Sequence, residues 1–139
     1  MILSPLRRIA ADSNVLLSAV IGKAALKVFV ESQLTILTTQ FNIEEVKEYL
    51  PQLSSKYSLH LPTLWLQLRM LPLMIHKESY YKNELPRAIK YLKNRDEDDV
   101  HLAALALKEH IPIWSNDRDL LILPLEVYST HKLLNKLNL

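Results

Sequence analysis

Two kinds of hydrophobic pattern alternate along the chain. Residues 9–11 and 34–38 are short runs of apolar or β-branched residues, which are typical of strands buried in a sheet. Each run is followed by a segment whose apolar positions are three or four residues apart, residues 15–31 and 41–53, and this spacing predicts helices. The first part of the chain therefore predicts two strand–helix units.

The middle of the chain repeats this alternation less regularly. Residues 63–70 predict a helix, and residues 71–75 predict either a short strand or an extended link. Residues 85–93 predict another helix with Pro86 in its first turn, where the missing backbone N–H of proline is tolerated.

The last third of the chain returns to the regular pattern. An alanine- and leucine-rich helix is predicted to be capped by residues 96–99 and to end near His110, followed by a buried strand at residues 111–114. Residues 127–129 predict an edge strand before a short terminal helix. Strands that alternate with helices favour an α/β fold, in which helices cover both faces of a parallel sheet.

Composition restricts the class of protein further. The chain has 139 residues, of which 49% are apolar and 23% charged, and this predicts one globular domain over residues 1–139. Cysteine is absent, which removes disulfides and thiolate ligands and is compatible with the reducing cytoplasm, where we expect the protein. Gly22 is the only glycine, so glycine-rich phosphate-binding loops are excluded. We expect no signal peptide and no membrane span, because Arg69 and two prolines interrupt the most apolar region, residues 59–74.

Acidic residues occur where the expected fold could bring them together. Asp12 follows the first predicted strand, and Asp117 follows the strand at residues 111–114. The carboxyl ends of parallel strands line the binding crevice of such sheets, so these two side chains could meet there. Asp99 would lie at the N-terminal end of the alanine-rich helix, in line with its small-residue face.

A glutamate doublet occurs early in the helix at residues 41–53. Because each residue turns a helix by about 100°, Glu45 falls on the flank of the apolar stripe near Tyr49, whereas Glu44 points almost the opposite way. We therefore prefer Glu45 as the acid that faces the other carboxylates.

Grouped carboxylates repel one another, and two unit charges about 4 Å apart cost roughly 4 kcal/mol at an effective dielectric constant near 20. Either a carboxyl takes up a proton or a cation binds. Hard oxygen ligands suit Mg²⁺ or Mn²⁺, and the five histidines show no ligand-like spacing. Phosphodiester cleavage is the chemistry we expect, since a metal ion orients and activates water and stabilises the leaving oxygen.

The acids lie in four motifs: ADSNVLL at residues 11–17, IEEV at 43–46, DEDDVHLAALA at 96–106 and IWSNDRDL at 113–120. In this order and spacing they resemble the PIN-domain family, small metal-dependent nucleases that include many toxins of toxin–antitoxin pairs. The resemblance spans nearly the whole chain, although each motif alone is weak. It implies a three-layer α/β/α sandwich with a central, mainly parallel sheet, dependence on Mg²⁺ or Mn²⁺, and single-stranded RNA as the substrate.

The resemblance also assigns roles by position. The implied metal ligands and catalytic residues are Asp12, Glu45, Asp99 and Asp117. The implied supporting polar groups are Asn14, Ser115 and Asp119. The glutamate doublet and the extra acids Asp96 and Asp98 leave the register of the second and third motifs open. No side chain is an obvious general base, so water activated by the metal is the expected nucleophile.

Each of these acids also has a purely structural interpretation. Asp12 and Asn14 could cap a helix, which is worth about 1 kcal/mol. Residues 96–99 could be a solvated helix start, stabilised by about 0.3–1 kcal/mol per charge, and Asp98 is best explained in this way. Asp117 and Asp119 could be ordinary turn residues. Only the joint pattern favours a metal site.

A basic segment with tyrosines leads into the third motif. Its cations and aromatic residues are Lys77, Lys82, Arg87, Lys90, Lys93, Arg95, Tyr80, Tyr81 and Tyr91. Cations that contact phosphates and tyrosines that stack on bases would suit single-stranded RNA. The candidate RNA contacts are Lys82, Lys90, Lys93 and Arg95. A solvated helix face explains the segment equally well.

The sequence therefore leaves two functions of different class. The first is a metal-dependent endoribonuclease acting on single-stranded RNA, as the toxin of a toxin–antitoxin pair. The second is a catalytically silent PIN-like module that binds RNA or protein. One apolar stretch could belong to a homodimer or antitoxin interface, although core packing is favoured: Leu64, Trp65, Leu68, Leu71 and Leu73.

Overall fold

The computed structural model describes residues 5–93 and 97–139, and not the side chain of Asp98. The strands are β1 (Arg8–Ala11), β2 (Thr35–Thr39), β3 (Leu73–His76), β4 (Ile113–Trp114) and β5 (Val127–Tyr128). Within the described residues they form one sheet in the order β3-β2-β1-β4-β5, and every neighbouring pair is parallel. The expected parallel sheet is confirmed. Of the two alternatives for residues 71–75, a short strand or an extended link, the structure has the strand, β3.

The helices alternate with these strands. They are α1 (Ser13–Val20), α2 (Ala25–Glu31), α3 (Gln40–Lys56), α4 (Leu61–Met70), α5 (Glu78–Tyr81), α6 (Leu85–Leu92), α7 (Glu97–Glu109) and α8 (Thr130–Lys136). Short 3₁₀ turns occur at Lys82–Glu84 and Arg118–Ile122. The cap predicted for α7 includes Asp96, which lies outside the described residues.

Neighbouring residues of each strand point to opposite faces of the sheet. In β1, Ile9 and Ala11 belong to a core covered by α1–α4 and α8, whereas Ala10 belongs to a second core covered by α5, α6 and α7. In β4, Ile113 joins the second core and Trp114 the first. Burial on both faces explains the near-continuous apolar runs of the strands. The three-layer α/β/α sandwich is confirmed.

The single helix predicted over residues 15–31 is wrong, because α1 and α2 are separate helices bent by 79°. Gly22 lies between them with φ +83°, a left-handed conformation that glycine adopts without a steric penalty. Its N–H donates to the carbonyl of Ala19 at 3.0 Å and satisfies one carbonyl at the end of α1. No single helix in the described part of the chain is long and apolar enough to cross a membrane, and α1 with α2 reaches those limits only as this bent pair.

The start of each site-bearing element lies at one edge of the sheet. β1 lies between β2 and β4, so the strand order changes direction beside it, and such a switch point opens a crevice at the carboxyl ends of the strands. α1 follows β1 and α3 follows β2, so both begin at this edge. α7 precedes the parallel strand β4 and therefore also begins at this edge.

Candidate acidic site at the switch point

Asp12 lies directly after β1, and only 4% of its surface is exposed. Its backbone N–H donates to the carbonyl of Trp114 at 3.1 Å, which extends the pairing of β1 with β4 by one residue. Its Oδ1 accepts from the N–H of Val15 at 2.9 Å and caps α1. The capping interpretation of Asp12 is thus correct, and it leaves the second carboxylate oxygen for other partners.

The electrostatic surroundings of Asp12 are unfavourable for its ionised form. Burial, with smaller contributions from the nearby carboxylates of Asp117 and Glu45, raises the pKa of Asp12 from 3.8 to about 6. The hydroxyl of Ser115 and the N–H of Val15 oppose this shift by hydrogen bonding to the carboxylate. The fold therefore brings Asp117 and Glu45 close enough to Asp12 to repel its carboxylate.

Ser115 and Asp117 are positioned by the turn that follows β4. Ser115 is buried, and its Oγ accepts from the N–H of Asp117 at 3.0 Å. The carboxylate of Asp117 in turn accepts from the N–H of Asp119 at 2.9 Å at the start of the 3₁₀ turn. Ser115 thus hydrogen-bonds both the carboxylate of Asp12 and the backbone of Asp117. The side chain of Asp119 is exposed.

The two glutamates of α3 have different surroundings. Glu44 is exposed, accepts from the amide of Gln40 at 2.6 Å and lies 3.7 Å from the ammonium of Lys47. Glu45 is partly buried and acts on the pKa of Asp12. Glu45 and Asn14 also line one cavity between α1 and α3, which puts the exposed Asn14 beside the acidic site. This geometry agrees with the preference for Glu45 over Glu44.

Asp99 is partly buried in the first turn of α7, a helix that packs against β1, β2 and α3. Among residues 5–93 and 97–139, with the side chain of Asp98 set aside, no three Asp, Glu or His side chains lie close enough to hold a metal ion together. Among the described residues, the predicted acids therefore lie at one edge of the sheet, but no three of them are close enough to coordinate one metal ion.

The donor atoms at this edge nevertheless fit a hard divalent cation. They are carboxylate oxygens with a serine hydroxyl beside them, and Mg²⁺ commonly takes only one or two protein carboxylates. A bound cation would also favour the ionised form of Asp12, which its burial and its acidic neighbours disfavour.

A buried polar network supports this edge, and sequence reasoning missed it. Thr39 Oγ1 caps α3 by accepting from the N–H of Asn42 at 3.0 Å, and it donates to Asn42 Oδ1 at 2.6 Å. The Asn42 amide donates to Ser13 Oγ at 2.9 Å, and Thr38 Oγ1 donates to the carbonyl of Ala11 at 2.8 Å. These bonds tie the start of α3 to the start of α1. Thr39, a residue type favoured at the N-cap, directly before the predicted helix was the available signal.

The network continues to a buried aromatic cluster. Thr39 hydrogen-bonds the hydroxyl of Tyr81, which lies 2.7 Å from Nδ1 of His101. The His101 ring stacks on Phe41 with centroids 3.6 Å apart. Burial raises the pKa of Tyr81 to about 12 and lowers the pKa of His101. The hydrogen bonds of Tyr81 to His101 and to Thr39 therefore link α7 to the end of β2.

The basic segment matches its prediction only in part. Tyr81 is fully buried, so the stacking of a base on it is wrong. Tyr80 stacks on His76 and its hydroxyl donates to Glu109, and Tyr91 packs against the second core. The lysines Lys82, Lys90 and Lys93 are exposed, Arg87 pairs with Glu84 at 3.6 Å, and Arg95 lies outside the described residues.

The apolar stretch in α4 and β3 is mainly core, as favoured. Leu64 and Leu68 are buried, and the other three members pack partly buried against the same core: Trp65, Leu71 and Leu73. The apolar side chains that α4 and β3 expose instead are Leu66, Met70, Met74 and Ile75.

Comparison with known proteins identifies the family. The sequence profile of the PIN domain matches residues 11–138. A chain in the structure of VapBC2 from Rickettsia felis, bound to a DNA fragment from the promoter, superposes with a TM-score of 0.62 over 88% of this chain and 98% of that chain, at 14% identity. VapC20 from Mycobacterium tuberculosis, a sarcin–ricin loop cleaving toxin, gives 0.54 over 80% and 91%, at 15% identity.

These two structural similarities concern the fold, because so few residues are identical. No protein of curated function matches the sequence significantly. The profile match covers nearly the whole chain and includes all four acidic motifs. The chain therefore belongs to the PIN-domain family.

Proposed function

We propose that the protein is a metal-dependent endoribonuclease that hydrolyses single-stranded RNA in the cytoplasm, as the toxin of a toxin–antitoxin pair. The observation that carries this proposal is the buried Asp12 at the switch point, whose pKa is raised to about 6 by burial and by two acidic neighbours. Shifted carboxyl groups in a crevice are typical of functional sites. Membership of a family that includes nucleases supports the reaction class.

The proposed ligands of Mg²⁺ or Mn²⁺ are Asp12, Glu45, Asp99 and Asp117. The ion would supply activation of the attacking water and neutralisation of charge on the phosphate. Ser115 would hold the carboxylate of Asp12 in one orientation through its hydrogen bond. The cap to Val15 would fix the same carboxylate from the other side. Asn14 and Asp119 would act as polar groups at the rim of the site.

Cleavage of a mixed panel of single-stranded RNAs tests the nuclease. Wild type and Asp12→Asn are each incubated with Mn²⁺, Mg²⁺ or EDTA. We expect cleavage by the wild type with either metal, none with EDTA, and none by the variant. Activity that Asp12→Asn retains would indicate a contaminating nuclease, and an inactive wild type would contradict the proposal.

The glutamate doublet offers a matched pair of variants for the second motif. Glu45→Gln should reduce metal-dependent cleavage, because Glu45 interacts with Asp12. Glu44→Gln changes the neighbouring side chain, which is exposed and paired with Lys47, and should leave cleavage unchanged. The reverse result would move the ligand to Glu44.

We further propose that RNA approaches across Lys82, Lys90, Lys93 and Arg95. The first three are exposed, and α6 ends close in sequence to the start of α7, where Asp99 lies. Reversal of Lys90 and Lys93 to Glu should weaken RNA binding and reduce its dependence on salt, because fewer counterions are then released. Unchanged affinity would remove these lysines from the interface.

The toxin proposal also requires a protein partner. An antitoxin, or a second copy in a homodimer, would cover some of the apolar side chains that α4 and the edge strand β3 expose: Leu66, Met70, Met74 and Ile75. One structural neighbour was solved as VapBC2 bound to promoter DNA, which supports a partner of this kind. Sedimentation that gives a monomer at every concentration would exclude the homodimer.

The second candidate is a catalytically silent module that binds RNA or protein. It is favoured by the absence, in the described part of the chain, of three acidic or histidine side chains close enough to hold an ion. A calorimetric titration with Mn²⁺ distinguishes the two functions. Saturable binding that Asp12→Asn abolishes supports the nuclease, whereas RNA binding without metal binding supports the silent module.

A further inference from the structure

A groove between α1 and α3 leads away from the acidic site. Its volume is about 330 Å³, at the lower end of the range of roughly 300–1,000 Å³ that is usual for ligand pockets. Apart from Leu53, the residues of α3 that line it form one stripe at helical spacing, Glu45, Tyr49, Gln52 and Lys56. Asn14 lies opposite on α1. The acidic site and the groove therefore share Glu45 and Asn14.

The groove changes in chemical character along its length. Glu45 and Asn14 form the end nearest Asp12, and Tyr49 follows with 47% of its surface exposed. Lys56 is eleven residues beyond Glu45, which is about 16 Å along a helix that rises 1.5 Å per residue. Along α3 the groove therefore presents four groups in order: the carboxylate of Glu45, the accessible ring of Tyr49, the amide of Gln52 and the ammonium group of Lys56.

A second cation strengthens the far end of the groove. The ammonium groups of Lys56 and Lys23 lie 5.3 and 5.0 Å from the centroid of the Tyr57 ring. Both positive charges therefore lie beside the Tyr57 ring, where α3 ends and the turn after α1 passes, although Lys23 does not itself line the groove. Cations at this end of the groove are suited to the phosphates of a nucleic-acid backbone.

We propose that this groove is a nucleotide subsite for single-stranded RNA, with a base stacked on Tyr49 and the backbone held by Lys56. The inference rests on the proposed ribonuclease function, because that function supplies the substrate class. Stacking on an aromatic ring combined with cations along the backbone is the usual way in which proteins hold single strands. The subsite would place a neighbouring phosphodiester beside Glu45 and Asp12.

The lining of the groove favours RNA over an apolar protein segment. Leu17 and Leu53 are its only aliphatic residues among the described lining, and the remaining side chains carry amides, carboxylate, hydroxyl or ammonium groups. The amide of Gln52 lies one turn beyond the Tyr49 ring and can hydrogen-bond the edge of a stacked base.

Binding of a fluorescein-labelled single-stranded RNA decamer of mixed sequence, followed by anisotropy in the non-cleaving Asp12→Asn background, tests the subsite. Tyr49→Ala should lower the affinity by about 5- to 150-fold, the effect of losing one base–aromatic stack. Tyr49→Phe keeps the ring and should bind within about two-fold of the parent. The exposed position of Tyr49 makes its replacement compatible with folding, and circular dichroism of each variant checks this.

The lysine contribution has its own readout. Lys56→Ala should reduce the slope of log affinity against log salt by about 0.7, the value for one phosphate of a single strand. Lys47→Ala is the matched control, because Lys47 is exposed on the same helix but outside the groove and is paired with Glu44. It should leave the slope unchanged.

Several outcomes would overturn the subsite. They are no measurable RNA binding by the parent, equal affinity of Tyr49→Ala and the parent, and equal salt slopes for Lys56→Ala and Lys47→Ala. Wild-type cleavage separates this inference from the function on which it rests. RNA binding that depends on Tyr49, without any cleavage, would support the subsite and contradict the nuclease. Cleavage and RNA binding that are unaffected by Tyr49→Ala would support the nuclease and contradict the subsite.

Discussion

The two ends of the sheet carry charged side chains in opposite arrangements. At the amino end, Arg8 at the start of β1 pairs with Glu109 at the end of α7, with 2.8 Å between Nη2 and Oε2. A cavity of about 850 Å³ at this end is lined by charges of both signs, including Lys136 and Glu126. At the carboxyl end, Asp12 is nearly buried, and the charges that act on its pKa are those of other acids.

The charges at the amino end stabilise the fold, whereas the charges around Asp12 at the carboxyl end cannot be explained by stability. The pair of Arg8 and Glu109 offsets one charge with another and joins β1 to α7. The arrangement around Asp12 costs stability, because burial and repulsion both disfavour its ionised form. A charge that is unfavourable for folding is expected where a ligand or a reaction requires it. Substitutions at the two ends should therefore have opposite effects on activity and stability.

The largest expected effect is on cleavage. Asp12→Asn should reduce metal-dependent RNA cleavage by more than about 100-fold, because changes in the outer shell of metal sites already cost 10- to 100-fold. Arg8→Met, at the other end of the same strand, should leave the rate within about two-fold. Initial rates on one labelled RNA at saturating Mn²⁺ provide the measurement. Equal losses in both variants would show that the two ends do not differ in function.

The second effect is a pH dependence of stability that arises from Asp12 at the carboxyl end. The pKa of Asp12 rises from 3.8 to about 6 on folding, so between these values the unfolded chain loses a proton that the folded protein keeps. The folded protein binds more protons, and the free energy of unfolding therefore falls as pH rises through this range. The total contribution is about 3 kcal/mol, at 1.36 kcal/mol per unit of pKa, and the loss is complete above about pH 6.

Urea unfolding in EDTA from pH 4 to pH 7 measures this contribution as the difference between wild type and Asp12→Asn. Asparagine caps a helix as well as aspartate does, so the variant should lack the pH-dependent loss and become the more stable protein at pH 7. Arg8→Met is the control and should follow the wild-type curve with a constant offset. Wild-type and Asp12→Asn curves that run parallel would show that Asp12 ionises normally.

Sequence reasoning identified the carboxyl end because its signals are local. The apolar runs of β1 and β4 end at Ala11 and Trp114, and in a parallel sheet the residues that follow neighbouring strands must meet. The break between α1 and α2 was missed although Gly22 marked it. The four-residue helix α5 is too short to show a helical period. The burial of Tyr81 depends on His101, a residue distant in sequence, and such a pairing leaves no periodic signal.

The third effect concerns the polar network beneath the acidic site. Asn42→Ala removes the side-chain hydrogen bonds to Thr39 and Ser13 and leaves each buried hydroxyl only its bond to the backbone of residue 42. We expect a loss of about 1–3 kcal/mol in the free energy of unfolding and a roughly 10-fold lower cleavage rate, because the connection between the starts of α1 and α3 is weakened. A stability loss without any change in cleavage rate would limit the network to a structural role.

The smallest effect belongs to the amino end itself. The side chain of Arg8 is 40% exposed and that of Glu109 is 15% exposed, so solvent weakens their attraction. Arg8→Met should cost less than about 1 kcal/mol in the free energy of unfolding, and the cost should shrink at 1 M salt, where exposed charges are screened. Urea unfolding at low and high salt, with Glu109→Gln and the double variant completing a cycle, measures the coupling between the two side chains. A coupling of several kcal/mol would mean that the ion pair contributes strongly to the stability of the fold. The charges at the two ends of the sheet would then affect folding to a similar extent, by attraction at the amino end and by repulsion at the carboxyl end.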